Sequence, residues 1–190
     1  MGRAVRLAVV GVVVVVSAAC SSSPSGSGAA EHLAGEEPSG ATAITVTSDA
    51  FGDGGAIPEK YSCDGQNVSP PLAWSGVPEG AAELALVVDD PDAPGGTFVH
   101  WVLFGIDPAT TNLDEADVPA GARQAKNSSG DAEYKGPCPP GGDGAHHYRF
   151  TVYALDTQLE AADGSAASEV LDAIGGAIAG RGTLTGTFQR

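Results

Sequence analysis

The chain has 190 residues, 24 acidic against 9 basic, and a formal charge of −15 at pH 7. So acidic a chain has no electrostatic footprint for nucleic acid and is repelled by anionic lipid surfaces. Its length allows one domain with a single sizeable core once the N-terminus is set aside.

Residues 1–19 read as an export signal. Arg3 and Arg6 form a positive n-region, Leu7 to Val16 is an apolar run of ten, and Ser17, Ala18 and Ala19 put small residues before Cys20. The run is too short to span a bilayer comfortably. Ala-Ala-Cys is similar to the bacterial lipobox, whose cysteine is diacylated, with Ser17 standing where Leu or Val is usual. An ordinary cleaved signal with an incidental cysteine is the alternative. Residues 20–40 are rich in Ser, Gly and Ala and read as a flexible tether. Removing the two arginines Arg3 and Arg6 takes the charge from −15 to −17. Membrane attachment is therefore expected through the Cys20 lipid alone, on the outer face of the cell membrane, where two or three acyl chains hold stably.

Residues 41–190 form the folded part. Ala43 to Thr47 alternates apolar and polar residues as a half-buried strand does, and Glu83 to Asp89 is apolar on both faces, as a buried strand would be. Phe98 to Ile106 and Tyr148 to Leu155 are aromatic and β-branched, and Thr183 to Phe188 alternates again. Gly/Pro turns separate them, at Gly52–Gly55, Ser69–Pro71, Pro78–Gly80, Pro94–Gly96 and Pro139–Gly144. Only Ser165 to Ala179 predicts a helix, capped by Ser165 or Ser168, with Val170, Leu171, Ile174 and Ile178 as its apolar stripe. Thr110 to Tyr134 carries little pattern, and a long ordered loop is often functional. The expected fold is mostly β, an antiparallel β-sandwich with one or two peripheral helices. Cys63 and Cys138, an even pair in an exported chain, read first as a disulfide, with two buried free thiols as the alternative.

Two loops carry the chemistry. In Asp89-Asp90-Pro91-Asp92-Ala93-Pro94, proline stiffens a corner that presents Asp90 and Asp92, and His100 follows a few residues into a strand. Gly136-Pro137-Cys138-Pro139-Pro140 similarly feeds His146, His147 and Tyr148. Counting by two, His100 shares a face with Phe98, Val102 and Phe104, while Val99, Trp101 and Leu103 point away. His146 shares a face with Tyr148, Phe150 and Val152, and His147 points the other way. Asp90, Asp92, His100, His146 and Tyr148 are thus expected to line one shallow pocket. Both aspartates also suit Asx-type turn stabilisation, and either histidine could be a satisfied core residue.

These loops, with Tyr61-Ser62-Cys63-Asp64-Gly65-Gln66-Asn67-Val68-Ser69-Pro70-Pro71-Leu72-Ala73-Trp74 and Gly182-Thr183-Leu184-Thr185-Gly186-Thr187-Phe188, resemble the phosphatidylethanolamine-binding protein family. The nearest branch is the bacterial YbhB/YbcL-like group, also labelled Raf kinase inhibitor-like. The resemblance covers about residues 43 to 190 and implies a Greek-key sandwich with a small cavity for anionic head groups such as phosphate esters. It assigns ligand contacts to Asp90, His100, Pro139, Pro140, His146 and Tyr148, with Asp92 in support.

The residues agree with that assignment. Imidazole N–H groups, the Tyr148 hydroxyl and the backbone N–H groups of Gly141, Gly142 and Gly144 are donors for a phosphate. A carboxylate beside the histidines is expected to favour their protonated form. A binding module, not an enzyme, is the expectation, with a small anion as partner, no cofactor, and no protein partner indicated. A His/Asp hydrolase and a site with a metal held by His100, His146 and an Asp are the alternatives. The first lacks a Gly-x-Ser-x-Gly elbow and the second lacks ligand-type histidine spacing.

Overall fold

In the computed structural model, which describes residues 1–2 and 40–190, β-structure dominates. The strands are β1 (Thr42–Ala43), β2 (Thr45–Thr47), β3 (Leu72–Ser75), β4 (Glu83–Asp90) and β5 (Phe98–Ile106). They continue with β6 (Asn112–Leu113), β7 (Arg123–Gln124), β8 (His146–Leu155) and β9 (Ile178–Phe188). One α-helix, α1 (Ala167–Gly175), and a 3-10 turn at Glu59–Tyr61 complete the described residues. The signal beyond residue 2, the tether to residue 39 and Cys20 lie outside them.

The strands form two sheets, ordered β1-β9-β8-β4-β5-β7 and β2-β3-β6. Val46, Leu72, Trp74 and Leu113 from the small sheet, with Ile44 between β1 and β2, meet Leu84, Leu86, Val88, Trp101, Phe150 and Leu184 from the large one. A second cluster on the far side packs Ala85, Val87, Val102 and Phe104 against Val170, Leu171 and Ile174 of α1. Flanked by β5 and β8 and covered on both faces, β4 is buried along its whole length. Its continuous apolar run follows from that position.

The sheets are not wholly antiparallel. β1 pairs parallel with β9 before the chain crosses into the second sheet as β2. The expected single strand Ala43–Thr47 is therefore divided at Ile44, whose N–H still donates to Arg181 O at 2.9 Å. The crossing is close: a Cβ at Gly182 would strike the Ile44 carbonyl. β3 was not anticipated; its Leu-Ala-Trp-Ser alternation follows directly on a Pro-Pro turn.

The helix is shorter than its pattern predicts. Ala166 stands at the N-cap with no side-chain hydrogen bond, so neither Ser165 nor Ser168 caps it. Gly175 and Gly176 end it, and Ile178 opens β9 instead.

A bulge in β5 decides where the polar residues go. Val88 pairs with Trp101 and Asp89 with Val99, leaving His100 without a partner on β4. The extra residue reverses the alternation beyond it. Trp101 and Leu103 join the core between the sheets, while Val102 and Phe104 join Val99 beneath α1. Counting by two from His100 fails for this reason, although Phe98 and His100 do share a side and their rings touch.

Candidate functional site

β4 ends where its antiparallel neighbours β5 and β8 begin, so Asp90, His100, His146 and Tyr148 converge at one end of the large sheet. The two Pro/Gly loops close over them. Between lies a cavity of about 290 Å³, walled by Pro94, Phe98, Pro139 and Pro140 and also lined by Ala93, Lys135 and Cys138. Cys63 and Cys138 are joined in a disulfide, which ties the second loop to the segment after the 3-10 turn.

Each histidine is oriented by its Nδ1. That of His100 lies 2.7 Å from the Lys135 carbonyl, and a carbonyl can only accept, so Nδ1 carries the proton. The Lys135 N–H in turn donates to His100 O at 3.1 Å. His146 Nδ1 lies 2.8 Å from Asp90 Oδ2. In both rings Nε2 is the nitrogen left over, and that of His146 sits 4.0 Å from Oδ2 of the exposed Asp143. Asp90 itself is buried, and its other oxygen accepts the Asp92 N–H at 2.8 Å. The carboxylate therefore serves the turn and the histidine together.

Burial pushes the His100 ring below its ordinary value of 6.5, against the opposing influence of the Lys135 carbonyl and the Asp90 charge. The expected protonated ring is thus not what this histidine's surroundings favour, because desolvation outweighs the carboxylate. Tyr148 packs edge-on to His100 with ring centres 5.2 Å apart and stacks more distantly on His146 at 6.5 Å. Burial, reinforced by the Asp90 charge, raises its phenol well above the usual range. Its hydroxyl is the one buried side-chain polar atom that closes no well-formed hydrogen bond among the described residues, although Asp90 and the Cys138 backbone lie near enough to bear on its acidity.

Asp92 is not in the wall. Its Oδ2 accepts both the backbone N–H and Nδ1 of His147, at 2.8 and 2.7 Å, on the exposed side of the turn. Gly141, Gly142 and Gly144 are also outside the lining, and the Gly142 N–H donates to Arg190 O at 3.3 Å. Sequence reasoning missed Lys135. The signal for it in the sequence is its position just before Gly136-Pro137, at the start of the loop that feeds the histidines.

The profile of the phosphatidylethanolamine-binding protein family matches residues 47–189, nearly all of the folded part. The chain belongs to this family. Among family relatives, a protein named "Putative lipoprotein LppC" from Mycobacterium tuberculosis is 49% identical over 146 residues, spanning 77% of this chain and 72% of that one. A UPF0098 protein of Methanothermobacter thermautotrophicus is 45% identical over 152 residues, 77% of this chain and 99% of that one. The crystal structure of E. coli YbcL, described as a new member of the mammalian PEBP family, has a TM-score of 0.74 at 34% identity. It covers 77% of this chain and 98% of its own. The family's mostly-β fold is thus the fold of this chain. Among the described residues no group of three or more His, Cys, Asp or Glu side chains is arranged to hold a metal.

Proposed function

We propose that the protein is an exported, lipid-anchored binding module whose cavity takes a small anionic head group of phosphate type. The observation that carries this reading is the Tyr148 hydroxyl, a buried donor lacking a well-formed hydrogen bond in the wall of a cavity that also holds two histidines oriented through Nδ1. A buried polar group without a partner costs roughly 1–3 kcal/mol, and a ligand oxygen would remove that cost. The volume supports a head group. At about 290 Å³ it lies at the small end of ligand pockets. Lipid anchoring is supported by Ala-Ala-Cys20 and by the name of the LppC relative.

Histidine NMR titration with glycerophosphoethanolamine is expected to move the His100 and His146 ring signals together. No movement at millimolar ligand would sink the binding reading. Partitioning of the protein into detergent is expected to be lost in Cys20→Ala; partitioning that survives contradicts the anchor.

One observation favours a hydrolase. The Asp90–His146 pair has the form of an oriented base. Its nucleophile is harder to find, since Cys138 is in a disulfide and the Tyr148 phenol holds its proton tightly. Turnover of a p-nitrophenyl ester or phosphate that disappears in His146→Gln would establish this second reading.

A further inference from the structure

On the α1 side of the large sheet, away from the cavity, a second and wider cleft opens. It has a volume of about 550 Å³ and lies between the start of β5, the segment from Lys126 to Gly130 and the first turn of α1. Its lining holds one lysine and no carboxylate, on a chain with 24 acidic residues. Glu169, the acidic residue of that first turn, is outside the lining. Backbone hydrogen bonds hold the parts together. Lys126 N–H donates to Ser165 O at 2.8 Å, and Ser128 N–H donates to Val99 O at 2.9 Å. Asn127 is buried and spends its side chain on the loop itself, Oδ1 accepting the Ser129 and Asp131 N–H groups and Nδ2 donating to Glu133 O. The cleft is therefore preformed.

Its donors have little to donate to. Thr97 is 9% exposed, and its hydroxyl has no hydrogen-bond partner among the described residues. Phe98 lines the sheet-end cavity while Thr97 and Val99, on either side of it, line the cleft, so alternation turns the Thr97 side chain into the cleft. Lys126 is exposed and forms no ion pair among the described residues, unlike Lys60, Arg123, Arg149 and Arg190. α1 starts at an alanine without a side-chain cap, and its first internal bond runs from Val170 N–H to Ala166 O at 3.3 Å. The N–H groups ahead of it, that of Ser168 included, have no partner along the helix and carry the positive end of its dipole. Ser128 Oγ accepts the Val99 N–H at 2.8 Å and keeps its own proton free. We propose that this cleft is a second ligand site, for a small sugar phosphate. Its phosphate lies against Lys126, the Thr97 hydroxyl and the α1 N-terminus, where an anion is favoured. Its hydroxyls meet those of Ser128 and Ser129, which both donate and accept. The volume falls mid-range for small-molecule pockets, which span roughly 300–1,000 Å³.

The test is NMR titration of the isotope-labelled protein with glucose 6-phosphate at neutral pH. The amide signals of Lys126 to Gly130 and of Ala167 to Glu169 are the readout, because no histidine of the sheet-end cavity lies among them. These signals are expected to move together, with inorganic phosphate and glucose each binding at least about tenfold more weakly. Lys126→Gln is expected to lower the affinity by about tenfold, since a hydrogen bond to a charged group is lost. Thr97→Val, nearly isosteric, should lower it several-fold, with the melting temperature of both variants unchanged. Dimethyl phosphate serves as the probe of the sheet-end cavity, followed through the His100 and His146 signals, and at saturation there it should leave the cleft's affinity as it was. Amide shifts lost to that competition, or sugar-phosphate shifts confined to the two histidines, would overturn the second site. So would still amides at millimolar ligand, or full affinity in both variants. Inorganic phosphate binding at these amides as tightly as glucose 6-phosphate would overturn the sugar assignment.

Discussion

Tyr148 is fully buried, yet its hydroxyl closes no well-formed hydrogen bond, so its contributions to folding and to binding have opposite signs. Tyr148→Phe removes a polar atom that the ligand-free protein leaves unsatisfied. Stability is expected to hold or to rise by up to about 1 kcal/mol, read as the urea midpoint. Dimethyl phosphate affinity should fall by roughly tenfold, because a hydrogen bond to a charged group is lost. A variant that is less stable and binds unchanged would show the hydroxyl to be structural. His100 gives a prediction of a different kind. Burial lowers its folded pKa, so the unfolded ring takes up a proton near pH 6.5 while the folded ring does not. Its contribution to stability is therefore complete above that pH and declines as the pH falls from about 6.5 toward the folded value. Binding follows the reverse course, since an anion favours the protonated ring. Dimethyl phosphate affinity is expected to increase as the pH drops below 6.5, by at most about tenfold per unit, and His100→Gln should flatten the profile. Lys135, Asp90, Asp143, His146 and Tyr148 all remain in the variant, so the difference between the two profiles isolates the His100 contribution.

At the scale of elements, the long strands were legible and the short ones were not. β4, β5 and β8 announce themselves because each buries a run of apolar residues, while β9 shows its strand pattern only over Thr183 to Phe188, its first residues continuing the helical stripe. β6 and β7 have two residues each, too few for any period, and they exist only because β3 and β5 offer them edges. The site was legible for a related reason. Asp90, His100, His146 and Tyr148 lie at the ends of long strands, where Pro/Gly loops mark the boundary. Asp92 was misplaced because the turn points it toward His147, and Lys135 was missed because it meets His100 across 35 residues through its backbone carbonyl and N–H alone. The bulge at His100 is invisible to a count by two. α1 shows the same limit, since its apolar stripe was plain but its cap was not. Ala166 is exposed at the N-cap and Glu169 follows three residues later, so Ala166→Ser completes a capping box. A gain of about 0.5–1 kcal/mol is expected, or about 1–4 °C in Tm, and an unchanged melting curve would show the helix start to be fixed by packing alone.

The whole molecule joins two clusters of core residues, a cavity at one sheet end and a single covalent link between distant parts of the chain. The Cys63–Cys138 bond closes a span of 75 residues and holds the second site loop against the segment after the 3-10 turn. Around it, Cys63 N–H donates to Pro137 O at 3.1 Å and Gly136 N–H to Asn67 Oδ1 at 2.8 Å, so the link sits within a hydrogen-bonded seam. Chain entropy sets its contribution at about 4 kcal/mol, as an upper figure. Both cysteines are exposed, so a mild reductant can reach the bond while the fold is intact. Reduction is expected to lower Tm by on the order of ten degrees. Because Cys138 lines the cavity beside Pro139 and Pro140, reduction should also weaken dimethyl phosphate binding at temperatures where the protein is still folded. The Cys63→Ser, Cys138→Ser double variant separates the two effects, with melting read by calorimetry and binding by histidine shifts at 25 °C. Loss of stability with full affinity would mean that the hydrogen-bonded seam alone positions the wall. Loss of both would make the bond part of the site.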